Sequence, residues 1–214
     1  TGNVIVTVDG KDYTVAIENG KAVKTIADLK ANDYTVTVKY AGDNNYNPNQ
    51  NTTKFTVSKI SDYNMNITVP GDVKVGEDAV IIVNVPKDAS GNVTVSVGKD
   101  VYNAVISNGS AKVVVSGLGA GVYNVSATFA DDKYAQNKAN ATVVVSKVTD
   151  YNMNVSVPEF KEGVNSTINV VLPKDATGTV TVEIGGKNYT ANVTDGVANV
   201  IIPGLGVGDY NITT

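Results

Sequence analysis

One segment of the chain occurs twice. Residues 58–70 read SKISDYNMNITVP and residues 146–158 read SKVTDYNMNVSVP, a shift of 88 residues. A period of this length indicates tandem structural units, because it is long enough for one small domain. The 214 residues are therefore expected to hold consecutive copies of one fold.

Alternating apolar residues mark the same strand in each copy. They stand at Val4, Val6 and Val8, at Val93, Val95 and Val97, and at Val180, Val182 and Ile184. Such alternation is typical of a strand with one buried face. In the middle copy the pattern predicts seven strands, at 64–69, 79–85, 92–97, 101–106, 110–115, 122–130 and 139–145.

Seven short antiparallel strands in a unit of this size indicate an immunoglobulin-like sandwich. A second signal is a leucine followed five residues later by tyrosine, which predicts tyrosine corners at Tyr34, Tyr123 and Tyr210. The predicted fold class is all-β, with tandem immunoglobulin-like antiparallel β-sandwiches arranged end to end.

The repeat alignment divides the chain into three parts. We expect a partial repeat at 1–58 with strands three to seven, a complete repeat at 59–146, and a partial repeat at 147–214 without its last strand. An incomplete sandwich leaves core faces and strand edges in water. The sequence is therefore interpreted as a segment of a longer array, with neighbouring repeats as its partners.

The composition argues against several function classes. The chain has no histidine and no cysteine, so the commonest general base and metal ligands are missing. All 17 basic residues are lysine and the net charge is −4, which disfavours nucleic-acid binding. No apolar run is long enough to span a bilayer. We expect no enzyme, no cofactor and no metal site.

One segment carries a family resemblance. Residues 34–46 read YTVTVKYAGDNNY and are followed by Phe55-Thr-Val57. This pattern resembles the tandem Ig-like repeats of bacterial and archaeal cell-surface proteins, especially adhesin-like proteins of methanogens. The resemblance implies an extracellular, cell-surface location and a structural spacer or stalk. The alternatives are an adhesion module that binds a carbohydrate or protein, and a subunit of a self-assembling filament.

Acceptor motifs for N-glycosylation are frequent. Eleven of the 25 asparagines begin an Asn-x-Ser/Thr motif, where composition alone gives about four. Strand alternation raises this number too, because it places two polar residues on one face. The glycosylation candidates are Asn51, Asn66, Asn92, Asn108, Asn124, Asn140, Asn154, Asn165, Asn188, Asn192 and Asn211.

The duplicated segment lies where one copy ends and the next begins. It contains neither glycine nor proline before the next strand, so we expect Tyr63, Met65, Tyr151 and Met153 to pack a stiff inter-domain junction. The other tyrosines recur in each copy and are interpreted as core residues; a sugar-stacking platform is the alternative.

Two further features have alternative readings. Asp43 and the pair Asp131-Asp132 follow the sixth strand, where a calcium ion could bind, but a solvated turn is favoured because each loop has few carboxylates. Lys24 aligns with Val113 and Val200, on a face that could point toward the core; snorkelling at the sheet margin is favoured, and a covalent cross-link to asparagine is the alternative.

Overall fold

The computed structural model describes residues 2–214, and all regular structure among them is β. The first repeat forms one antiparallel sheet in the order β2-β1-β3-β4. Its strands are β1 (Asn3–Val8), β2 (Lys11–Ala16), β3 (Asn32–Tyr40) and β4 (Asn49–Val57).

The middle repeat is a sandwich of two sheets, in the orders β10-β7-β5 and β6-β12-β11-β8-β9. Its strands are β5 (Asn66–Thr68), β6 (Val73–Lys74), β7 (Ala79–Asn84), β8 (Asn92–Val97), β9 (Asp100–Val105), β10 (Ser110–Val115), β11 (Gly121–Phe129) and β12 (Asn137–Ser146). All seven predicted strands are present, with ends displaced by at most two residues. The sequence pattern missed β6, because a strand of two residues shows no alternation.

The third repeat also has two sheets, in the orders β13-β14-β17 and β16-β15-β18. Its strands are β13 (Asn154–Ser156), β14 (Ser166–Val171), β15 (Thr179–Ile184), β16 (Lys187–Asn192), β17 (Val197–Ile202) and β18 (Ile212–Thr213). The prediction of an all-β chain of tandem antiparallel sandwiches is confirmed.

Alternate side chains of the facing sheets fill each core. In the middle repeat Ile81 and Val83 of β7 pack with Val93 and Val95 of β8, all without solvent exposure. The third repeat has a separate core around Ile168, with members from β14, β15 and β17. Burial of alternate apolar residues is the main stabilising term, since the chain has no disulfide.

The expected fifth strand of the first repeat is absent. Its counterpart, β10, pairs only with β7, and residues 2–58 contain no strand equivalent to β7. Residues 22–30 therefore have no ladder partner and form no strand. Lys24 lies in this segment and is exposed; its Nζ is 5.2 Å from the centroid of the Tyr13 ring. A core position for Lys24 is wrong for this reason, and snorkelling of its side chain stays a prediction.

By internal contacts the chain forms two compact units, Thr1–Lys147 and Val148–Thr214. The first unit contains the four-stranded sheet and the complete sandwich, and the second contains the third repeat. Among residues 2–214 no helix is long and apolar enough to cross a membrane.

We expect Ile81→Ala to lower the free energy of unfolding of the middle repeat by about 2–5 kcal/mol, because it leaves a cavity between the sheets. Val114→Ala, on the solvent face of the neighbouring strand β10, is the control and costs less than about 1 kcal/mol. Urea titration followed by NMR signals of the middle repeat measures both. Equal losses for the two variants contradict this assignment of the core.

Candidate functional site

The connection between the first and middle repeats lies against the loop between β11 and β12, residues 130–136. The backbone N–H of Ile60 donates to the carbonyl of Lys133 at 2.9 Å, and the N–H of Ala135 donates to the carbonyl of Ile60 at 2.9 Å. Ile60 thereby forms a parallel bridge with Tyr134. The connecting segment is thus hydrogen-bonded to the repeat that it enters.

Tyr63 fixes the same segment through its side chain. Its hydroxyl donates to the carbonyl of Ala135 at 2.7 Å, and its ring makes edge contacts with Tyr134 at 4.9 Å and Phe129 at 6.2 Å between centroids. The amide of Asn137 donates to the carbonyl of Tyr63 at 3.3 Å. We call the set formed by Ile60, Tyr63 and the loop 130–136 the junction clamp.

Asp131 holds the loop of the junction clamp in shape. Its carboxylate accepts the backbone N–H groups of Lys133 at 2.8 Å, Tyr134 at 2.6 Å and Ser90 at 3.1 Å. Lys59 adds a hydrogen bond from Nζ to the backbone carbonyl of Asp131 at 2.6 Å. Partial burial opposes ionisation of Asp131, but these N–H donors and the Lys59 charge outweigh it and hold its pKa below the usual value.

Asp88 anchors the loop from the other side. It accepts a hydrogen bond from the Tyr134 hydroxyl at 2.7 Å and forms an ion pair with Lys133. Lys133, and then Tyr134, lower the pKa of Asp88. The sequence analysis missed this contact, although Pro86-Lys-Asp88-Ala recurs as Pro173-Lys-Asp175-Ala and could have drawn attention to it.

The junction leaves little free chain. β4 ends at Val57 and the bridge begins at Ile60, so only Ser58 and Lys59 lie between two hydrogen-bonded segments. A two-residue connection without glycine has few accessible conformations. The clamp therefore restricts the path of the chain between the first and middle repeats.

The first repeat contains a loop with the same turn as the loop of the junction clamp. In the first repeat the Asp43 carboxylate accepts hydrogen bonds from the backbone N–H groups of Asn45 at 2.8 Å and Tyr46 at 2.9 Å. Asp131 closes its turn in the same way, through residues 133 and 134. Tyr46 is 69% exposed, whereas its counterpart Tyr134 is 6% exposed and packs against Tyr63. The bound connecting segment accounts for the difference.

The four predicted junction residues behave differently. Tyr63 and Met65 pack against the core of the middle repeat, whereas Tyr151 is 53% and Met153 is 43% exposed. Tyr63 is covered by the rings of Phe129 and Tyr134.

Each of the three Leu-Tyr motifs makes the same hydrogen bond. The tyrosine hydroxyl donates to the carbonyl four residues upstream, at 2.8 Å for Tyr34, 3.0 Å for Tyr123 and 3.3 Å for Tyr210. This is the geometry of a tyrosine corner. It ties the entry of the sixth strand to the preceding loop in every copy.

All eleven candidate glycosylation asparagines are exposed. Asn108 occupies a hairpin turn with φ of 50°, and its side chain points away from the core of the middle repeat. Asn124 stands opposite Thr142 and Asn140 stands opposite Ser126, so two motifs lie side by side on β11 and β12. Solvent can therefore reach every candidate side chain.

The remaining candidates are engaged in the fold. The carboxylates of Asp43 and Asp131 accept hydrogen bonds from backbone N–H groups. Residues 2–214 contain no group of three acidic, histidine or cysteine side chains suited to a metal. Tyr102 and Tyr189 pack against their cores. Tyr46 and Tyr151 are loop aromatics that stay open to solvent.

No protein-family model and no curated protein sequence matches the chain. Among solved structures it is similar to a 1.5-MDa bacterial ice-binding adhesin, with 18% identity over 94% of this chain and 75% of the other and a TM-score of 0.36. Another similar structure is Bacteroides ovatus SGBP-B of a mixed-linkage glucan utilization locus, with 16% identity over 96% of this chain and 52% of the other and a TM-score of 0.25. The FN1–FN3 domains of chicken CNTN1 give 10% identity over 99% and 81% and a TM-score of 0.28.

The lowered pKa of Asp131 predicts a pH dependence of the middle repeat. Its ionised form stabilises the folded state fully above about pH 4, the ordinary value, and this contribution is lost as the pH falls through the lowered folded-state value. We expect Asp131→Asn to reduce the drop in urea midpoint between about pH 7 and pH 2.

Asp132→Asn is the matched control, because the exposed neighbouring carboxylate makes no hydrogen bond within the described residues. The control should keep the pH dependence of the unsubstituted chain. If both variants lose it equally, the stabilising role of Asp131 is disproved.

Proposed function

We propose that this chain is a structural spacer in an extracellular, adhesin-like cell-surface protein. The observation that carries the proposal is the junction clamp, which leaves only Ser58 and Lys59 between β4 of the first repeat and the bridge at Ile60. Flexible joints give a reach that grows only as the square root of the number of units, whereas stiff joints let each repeat add its full length. A clamped joint is therefore what a spacer requires.

The strand pairing of the middle repeat also suits a chain under tension. β6, near the beginning of the repeat, pairs in parallel with β12, its last strand, through Val73 with Val145 and Lys74 with Ser146. The N–H of Val75 adds a hydrogen bond to the carbonyl of Ser146 at 3.0 Å. When the parallel strands β6 and β12 are pulled apart along the chain, they slide past each other, so their hydrogen bonds are loaded together rather than one by one.

The glycan-binding alternative has a narrower basis. Tyr46 is the exposed loop aromatic of the first repeat, and Tyr40 at the end of β3 lies within electrostatic reach of it. Sugar-binding surfaces need an aromatic face with polar groups arranged around it. The unmodified chain and the Tyr46→Ala variant can be compared in a screen against immobilised glycans. We expect that the substitution removes no glycan binding.

The clamp can be tested with spin labels, because the chain has no cysteine of its own. Labels at Thr35→Cys on β3 and Thr142→Cys on β12 report the distance between the first and middle repeats. We expect a narrow distance distribution, and a clearly broader one after Tyr63→Ala, since that change removes the ring contacts and the hydrogen bond to Ala135.

Tyr151→Ala, at the equivalent exposed position, should leave that distribution unchanged. Circular dichroism of each variant separates a loosened joint from an unfolded repeat. A broad distribution in the chain with an intact clamp contradicts the spacer proposal.

We further propose that several of the eleven exposed motifs carry N-glycans in the native protein. Intact-mass and peptide-mapping measurements on native material are expected to show added mass on peptides that contain these asparagines. The exposed Asn103 and Asn199, which begin no acceptor motif, are internal controls and should be unmodified. A native mass equal to that of the bare polypeptide contradicts this proposal.

A further inference from the structure

The outer edge of the middle repeat is an open strand. β9 is the terminal strand of its five-stranded sheet and pairs only with β8. The N–H and C=O groups on its other side have no ladder partner. Such an edge is a template for another strand unless charges, prolines or a covering segment protect it.

The side chains of β9 do not protect this edge. Tyr102 and Ala104 point inward and pack against the core. Val101 and Val105 point outward and are 63% and 74% exposed, with Asn103 between them. β9 carries one charge, at its first residue Asp100, and from Val101 to Val105 it has no charge, no proline and no glycosylation motif.

The equivalent edges of the other repeats are different. On β2 the outward residues are Asp12, Thr14 and Ala16, and the Asp12 carboxylate accepts a hydrogen bond from Thr7 at 2.6 Å. On β16 they are Asn188, Thr190 and Asn192, and both asparagines begin glycosylation motifs. A charge or an acceptor motif therefore stands among the outward residues of each of these edges, whereas the outward residues of β9 are Val101, Asn103 and Val105.

The outward residues of β9 are symmetric about Asn103. This symmetry favours a second copy of β9 as the strand that pairs with the open edge. If a second β9 runs antiparallel with Asn103 at the centre, Val101 faces Val105 of the second copy on both sides, and the two Asn103 residues face each other. Directly opposed apolar pairs stabilise antiparallel strands, and no like charges meet although each chain carries −4. The same patch serves both copies, so the contact closes as a dimer.

We propose that β9 of one copy pairs antiparallel with β9 of a second copy and joins their two sheets laterally. This role goes beyond that of a spacer, because it connects neighbouring stalks. Each contact is small and weak, and it gains strength only where more than one repeat with such an edge engages at the same time.

Disulfide trapping tests the proposed register. Opposed residues of antiparallel strands have Cα atoms about 4.5–5.5 Å apart, within the range that a disulfide spans. Asn103→Cys is therefore expected to give a covalent dimer under mild oxidation, since it would face its own copy. Thr14→Cys on β2 and Thr190→Cys on β16 are the matched controls and should stay monomeric, because the outward residues beside them form no opposed apolar pair. The chain is produced without N-glycosylation, because Asn92 stands opposite Val105.

A second variant tests the apolar contacts. Val101→Lys with Val105→Lys, added to Asn103→Cys, should lower the rate of dimer formation about tenfold, because charges then oppose each other across the ladder. Circular dichroism checks that the variants are folded. The proposal is overturned if the three cysteine variants cross-link equally, if the lysine substitutions have no effect, or if Asn103→Cys stays monomeric at all concentrations.

Discussion

Backbone pairing between strands is the constraint on which the rest of the structure depends. A segment with the correct alternation becomes a strand only where another strand accepts its hydrogen bonds. Residues 110–115 form β10 because β7 lies beside them, whereas the aligned residues of the first repeat have no such neighbour and remain irregular. The same requirement leaves β9 with an open edge, so one physical rule explains a missing strand and an available surface.

The junction shows how a loop can control a connection between domains. The turn that Asp131 closes presents the carbonyl of Lys133 and the N–H of Ala135, and these two groups fit the backbone of Ile60. Tyr63 then covers the contact with an aromatic ring. The backbone hydrogen bonds of Ile60 fix the orientation of this joint, and the ring contacts of Tyr63 stabilise it. The geometry of the joint therefore depends on the loop and the connecting segment together.

The sequence was sufficient for most of the fold and for less of the site. Period and alternation located every strand of the middle repeat except β6, and the Leu-Tyr spacing located three hydrogen-bonded tyrosines. The contact of Asp88 with Lys133 and Tyr134 joins residues more than 40 positions apart. No local pattern reports such a pairing, because it arises only after two loops of the sandwich have been brought together.

The amino-acid sequence alone determined the repeat, the strands and which face of each strand is apolar, since these follow from residue order and the two-residue period of a strand. Only the tertiary structure decided which equivalent residues became buried. Tyr134 and Tyr46 occupy the same position in their repeats, yet one is buried and the other is in water. The physical reason is that burial depends on a neighbour, and Tyr63 lies against only one of them.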